Sequence, residues 1–183
     1  MQTQAMRFLF SILGFLLTAS GVVQAQAPAA APADVGTIAD IIRVSYEVIS
    51  GPAGAARQWE RDRTLYMRGA TFVSNNVRDG KVQTKIMTPE EYRRGADARF
   101  VARGLFETEV GSRIERFGNV AQVRSISVAR STPGGPVEAR YVNYFQLFWD
   151  GTRWWIAGVV WDEERPDNPI PAAWFGHSEK ASE

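Results

Sequence analysis

Acid–base chemistry needs a group that a pocket can hold near neutral pH, and this 183-residue chain offers few candidates. Its one histidine, His177, stands in the C-terminal tail after the last expected strand and reads as a stray terminal residue. With no cysteine and a single histidine, only carboxylates remain as metal ligands, so neither a metal nor a cofactor is expected. Neither a glycine-rich phosphate loop nor a nucleophile elbow occurs. What remains is Asp62, in "WERDR", together with Tyr46 and Tyr66 as residues that could point inward. An Asp and a Tyr facing one apolar cavity could remove a proton beside a carbonyl, the Asp as base and the Tyr as hydrogen-bond donor. Asp62 also has a plainer reading as a solvated helix-terminal acid paired with Arg61 or Arg63. The ordinary alternative for the tyrosines is packing with a wet hydroxyl. Glu107 and Glu109 are expected on the wet side of their strand, and "ERDR" and "DEER" read as solvated charge runs.

The polar residue best placed by register is Asn143. It lies in "ARYVNYFQLFW", which the Asp150-Gly151 pair joins to "TRWWIAGVVW" as a hairpin. A two-residue turn would set Leu147 against Trp154, Phe145 against Ile156 and Asn143 against Gly158. That face is a dry core patch grading toward Asn143, Gly158 and Tyr141, where a small residue leaves space and an amide supplies polar handles. Mostly apolar concavities with a few polar groups suit small ligands. The pocket residues expected are therefore Tyr46, Trp59, Tyr66, Tyr141, Asn143 and Gly158. The opposite face carries Tyr144, Gln146, Trp155 and Trp161, an aromatic and polar mixture typical of protein interfaces, so a homodimer through this face is expected. Coverage of both faces within one chain is the alternative.

The remaining elements must hold these strands in place. "TIADIIRVSYEVIS" puts Ile38, Ile41, Ile42, Ser45, Val48 and Ile49 at helical spacing, and Gly51-Pro52 stops it. "AGAARQWERDR" predicts a short helix carrying Trp59. "GATFVS" is a short strand candidate, and Asp79-Gly80 predicts a hairpin turn. In "TPEEYRRGADARFVARG", Thr88 caps, Pro89 opens the helix and Glu91 closes a capping box. Tyr92, Ala96 and Phe100 share one face of it. The rest is strand, followed by a tail rich in proline.

Residues 1–25 read as an export signal. Arg7 is their only charge, an apolar run extends from Phe8 to Leu17, and Val23-Gln24-Ala25 fits a cleavage site. A membrane anchor is the alternative, but the run falls short of the ~20 apolar residues a span needs. Cleavage would remove one Arg and no acid from a chain with 21 basic and 20 acidic residues, leaving no net charge. Such a chain has no global field for nucleic acid or an anionic membrane. The expected organisation is a signal peptide over 1–25, a flexible lead-in over 26–35, one domain over 36–172 and a flexible tail over 173–183. The expected location is periplasmic or secreted.

Helix, short helix, hairpin, helix and then four long strands is an order that resembles the NTF2-like superfamily, SnoaL-like and DUF4440-like proteins included. The residues carrying the resemblance are "ERFGNVAQVRSISVAR", "NYFQLFWDGTRWWIAGVVWDEE" and "PDNPIP", and it spans about residues 36–172. Tyr141 departs from the pattern, where Gly would follow Arg140, and a large side chain there could narrow the cavity. The resemblance implies an α+β cone: a curved antiparallel sheet wrapped by three helices from the N-terminal half, with a pocket inside and dimerisation through the outer face. Its members include enzymes, binders and scaffolds. Two functions therefore stay open: binding of a small apolar or amphipathic ligand or a protein partner, or an isomerase, cyclase or dehydratase working by acid–base chemistry in the cone.

Overall fold

A computed structural model describes residues 29–176 and the backbone of 178–179. The expected signal peptide and His177 lie outside the described residues. The elements run α1 (Pro32–Val35), α2 (Ile38–Glu47), α3 (Trp59–Arg63), β1 (Tyr66–Arg78), β2 (Lys81–Met87), α4 (Pro89–Arg103), β3 (Phe106–Phe117), β4 (Val120–Arg130), β5 (Ala139–Trp149), β6 (Trp154–Glu163), a 3-10 turn (Ala172–Trp174) and β7 (Ser178–Glu179).

Local chemistry sets several boundaries. Thr37 Oγ1 accepts from the Asp40 amide and opens α2. The six expected inward positions of α2 and its following turn are all buried, and Arg43 pairs with Glu47 at 2.5 Å on the outside. The capping box of α4 forms, with Thr88 Oγ1 and Glu91 Oε2 each accepting from the other residue's amide. Asp79 and Gly80 both take positive φ, as a two-residue hairpin turn requires, and join Arg78 to Lys81. The ordered chain starts earlier than the lead-in expected over 26–35 allowed. Asp34 of α1 is buried and receives two 2.7 Å hydrogen bonds from Arg61.

The sheet order is β2-β1-β6-β5-β4-β3-β7. Most neighbours are antiparallel, as expected, while β1–β6 and β3–β7 pair in parallel. Register shifts interrupt β1, β3 and β6, and such bulges bend a sheet and strengthen its twist. The inner face packs on α2 around Val123, Phe145, Leu147, Trp154 and Ile156. Part of the outer face is covered by the C-terminal segment. Trp174 lies under the Arg124 guanidinium at 3.9 Å, and Gly111 admits the Trp174 backbone where a Cβ would meet its carbonyl oxygen at 2.2 Å. The tail expected to be flexible over 173–183 is therefore packed at Trp174 and Phe175, and β7 adds to the sheet edge.

Candidate functional site

The hairpin at the centre of the sheet differs from its expected register. Asp150 is not half of a two-residue turn. Its Oδ1 accepts from the amides of Thr152 and Arg153, and the first strand pair is Trp149 with Trp154. Leu147 then faces Ile156, but Gln146 faces Gly158, which leaves Ala157 as an extra residue in β6. One extra residue inverts every side chain beyond it. Trp161, expected on the outer face at the dimer interface, turns inward beside Asn143. Gly158, expected in the pocket, lies opposite exposed Gln146, and a Cβ there would meet the Thr71 carbonyl at 3.1 Å. That glycine lets β1 approach β6.

The helices and the inner face of the sheet enclose a cavity of ≈ 160 Å³. One wall is an aromatic cluster. Phe72 of β1, Tyr92 of α4 and Trp161 of β6 meet edge to face, with centroids 5.3–5.9 Å apart. Tyr66 and Phe100 extend the wall, and Ile49, Leu105 and Val159 complete its apolar part. A cavity of about 150 Å³ can take a benzene ring, so this one suits a single ring or a short chain.

The floor is polar and ordered by hydrogen bonds. Ser127 Oγ donates to Glu107 Oε1 at 2.6 Å. Asn143 Nδ2 donates to Ser127 Oγ at 3.0 Å and to the Tyr46 hydroxyl at 3.1 Å. Ser125 Oγ gives its proton to Glu109 Oε1 at 2.6 Å, so the 2.7 Å contact between Tyr46 and Ser125 runs from the tyrosine. Ser125, Ser127 and Asn143 are all buried. Burial pushes the Glu107 carboxyl up to about 7, only partly opposed by Ser127, and moves Glu109 in the same direction. Burial and the charge of Glu107 together push the Tyr46 phenol up, so it acts as a neutral donor. Glu107 lines the cavity, which corrects its expected place on the wet side.

Asp62, the expected base, takes a different position. It is 2% exposed and neither solvated nor paired with Arg61 or Arg63. Arg93 Nε, also buried, donates to its Oδ2 at 2.5 Å. Burial raises the Asp62 carboxyl, while Arg93 and a hydrogen bond with Tyr66 oppose the rise. Tyr66 lines the cavity; Asp62 sits behind it. Arg61 instead binds Asp34 and Glu47, and Arg63 binds Glu60 and Glu90.

Of the expected pocket residues, Tyr46, Tyr66, Tyr141 and Asn143 therefore meet at one cavity. Trp59 does not; it stacks behind Phe100 with centroids 6.5 Å apart and donates to Asp97 at 2.6 Å. Tyr144, Gln146 and Trp155 do lie on the outer face. Trp155 is already engaged there, by Arg153 over its ring at 3.7 Å and by Asp150 as acceptor at 2.6 Å. Sequence reasoning missed Glu107 because apolar parity in β3 pointed the other way. Val110 is apolar, yet it faces Phe175 of the covering tail. The usable signal was the opposing "VRSISVA", whose Ser125 and Ser127 present a row of hydroxyls to two glutamates. Among the described residues, no group of three or more potential ligands is placed to hold a metal ion.

The deciding observation is an open sheet with register shifts whose inner face, with α2 and α4, lines an interior cavity. The fold resembles that of NTF2-like proteins. The NTF2-like proteins of unknown function with similar structures include one from Methylobacillus flagellatus KT, at 15% identity and TM-score 0.47, covering 70% of this chain and 95% of that one. Another, from Shewanella baltica, has 13% identity and TM-score 0.44, covering 68% and 86%. A function-unknown protein from Mycobacterium tuberculosis has 19% identity and TM-score 0.49, covering 70% of each chain. No protein-family model matches the sequence, and no curated protein matches it significantly. The NTF2-like fold hosts many chemistries, so function must be argued from the cavity itself.

Proposed function

We propose that this chain binds a small amphipathic molecule in the cone, with its apolar part against Phe72, Tyr92 and Trp161 and its polar end at Glu107 and Asn143. The observation that carries this reading is the Glu107–Ser127–Asn143–Tyr46 network lying on the floor of a ≈ 160 Å³ aromatic cavity. Specific ligands are held by such pairings of apolar walls with a few fixed polar groups. Native mass spectrometry of the protein from an exported fraction tests it. A co-purified small molecule that is absent from Ala129→Phe, which fills the cavity, is the expected result. Identical, empty spectra for both proteins after exposure to ring-sized compounds would contradict it.

A second reading has its own observation. A cavity carboxylate pushed up to about 7 is poised to take and return protons near neutral pH. Glu107, rather than Asp62, is then the base of an isomerase-like activity. Catalysed deuterium exchange beside the carbonyl of a small cyclic ketone, lost in Glu107→Gln, would favour this reading over simple binding.

The same proposal includes export and a homodimer. The leader sequence motivates export, and a mature N-terminus at Gln26 is the expected mass. Among the described residues no helix is long and apolar enough to cross a membrane. For the dimer, Ile86, Val73, Val160 and Tyr144 form one row across the outer face, and Ile86 and Val160 are 71% and 41% exposed. Light scattering at micromolar concentration should give twice the chain mass; a monomer would remove this part.

A further inference from the structure

Two carboxylates near the cavity, the buried Asp62 and the part-buried Glu107, differ in one respect: Asp62 has Arg93, and Glu107 has no cation. Its side chain accepts from the neutral Ser127 hydroxyl, and among the described residues no basic group makes an ion pair with it. Its other neighbours are also neutral or negative. Tyr46 comes from α2, Tyr92 from α4, Asn143 and Tyr141 from β5, and Glu109 lies two residues along β3. The one basic residue on the lining is Arg99, which is exposed and lies over the Phe100 ring at 5.2 Å.

An occupant of this cavity must displace water from a carboxylate that has no protein counter-charge. An anionic occupant would meet Glu107 at close range. A neutral one would leave the carboxylate bare or force it to hold its proton, and a desolvated bare carboxylate is costly. A cation supplies the missing charge and strong N–H donors, and the adjoining rings attract cations through their faces. We propose that the polar end of the ligand is a protonated amine, and that this pocket takes a ring-sized organic cation with its ammonium on Glu107. The inference rests on the pocket reading above and adds the ligand's charge.

Isothermal titration of the full-length protein with three probes of matched shape tests it: benzylamine, benzyl alcohol and benzoate. Benzylamine should bind at least ~10-fold more tightly than benzyl alcohol, with benzoate weakest. In Glu107→Gln, checked for a cooperative melting transition no lower than that of the unmutated protein, that preference should fall to within about 3-fold. In the unmutated protein, affinity for benzylamine should climb from about pH 5 to about pH 8 and level off, because the amine stays protonated while Glu107 ionises. Equal or tighter binding of the alcohol or benzoate overturns the cation inference and leaves the pocket reading standing. So does a preference for the amine that survives Glu107→Gln, or an affinity that is flat with pH. No binding of any probe at millimolar concentration overturns both readings.

Discussion

Asp62 lies behind the cavity wall at Tyr66 while Glu107 lines the cavity itself, and the fold treats them differently. Asp62 comes from the end of a short helix and is locked to Arg93 from α4, both within a few per cent of full burial. Glu107 comes from β3, accepts from the Ser127 hydroxyl and otherwise faces open space. A buried carboxylate with a guanidinium at 2.5 Å is committed to holding two elements together. One with neutral neighbours and a cavity in front of it keeps its charge available for something that enters. The contrast shows that burial by itself does not mark a functional acid; the missing partner does.

The largest effect should come from breaking the committed pair. Asp62→Asn removes the buried counter-ion of Arg93 and leaves it only the exposed Glu90 at 3.0 Å, so the expected loss is about 3 kcal/mol by chemical denaturation. Replacing both, Asp62→Leu with Arg93→Met, should recover most of it, because the cost lies in the orphaned charge. If Asp62→Asn costs little, the pair is not what holds α3 to α4.

Glu107 should behave in the opposite sense. Its folded-state value is raised above that of the unfolded chain, so folding favours the protonated acid. The sign follows directly: this residue's penalty is absent below the ordinary carboxylate range, grows as pH rises toward about 7, and is complete above it. Glu107→Gln should therefore stabilise the protein at about pH 8 by on the order of 2 kcal/mol and change little at about pH 4. Melting curves at the two pH values check this, and a destabilised variant at the higher pH would erase the contrast.

Smaller effects sharpen the picture of the floor. Tyr46→Phe removes the donor to Ser125 and the acceptor for Asn143, with an expected cost of about 1–2 kcal/mol. Smaller still, Trp161→Phe should cost about 1 kcal/mol, since a ring is kept at the aromatic wall. It should also remove most of any fluorescence change produced by a cavity ligand. A fluorescence response that survives Trp161→Phe would place the occupied site elsewhere.

Much of this was legible in the sequence because it depended on local pattern. The inward positions of α2, the capping box at Thr88 and Glu91, and the Asp79-Gly80 turn follow from spacing and turn chemistry. The core patch of Phe145, Leu147, Trp154 and Ile156 was legible as a set, although its pairing was not. The misread parts share a physical cause. A four-residue loop at Asp150–Arg153 and one extra residue at Ala157 together reset the hairpin, and the bulge turned Trp161 inward and Gly158 outward. No local pattern announces a bulge whose purpose is to bend a sheet. Glu107 was hidden in the same way: a register shift between Glu109 and Gly111 breaks the alternation of β3, and Val110 faces Phe175 of the covering tail rather than the interior. The Asp62–Arg93 pair joins residues 31 apart in the chain, and helical charge spacing could suggest only the neighbouring arginines.

The central claim is that Glu107 is a cavity carboxylate without a counter-charge. A carboxyl ¹³C NMR titration of the side chain, assigned by its loss in Glu107→Gln, tests that most directly. The account predicts a midpoint of about 7, moved downward when benzylamine is bound. A midpoint in the ordinary range of about 4, unmoved by the amine, would mean that Glu107 is solvated or already partnered, and would contradict it.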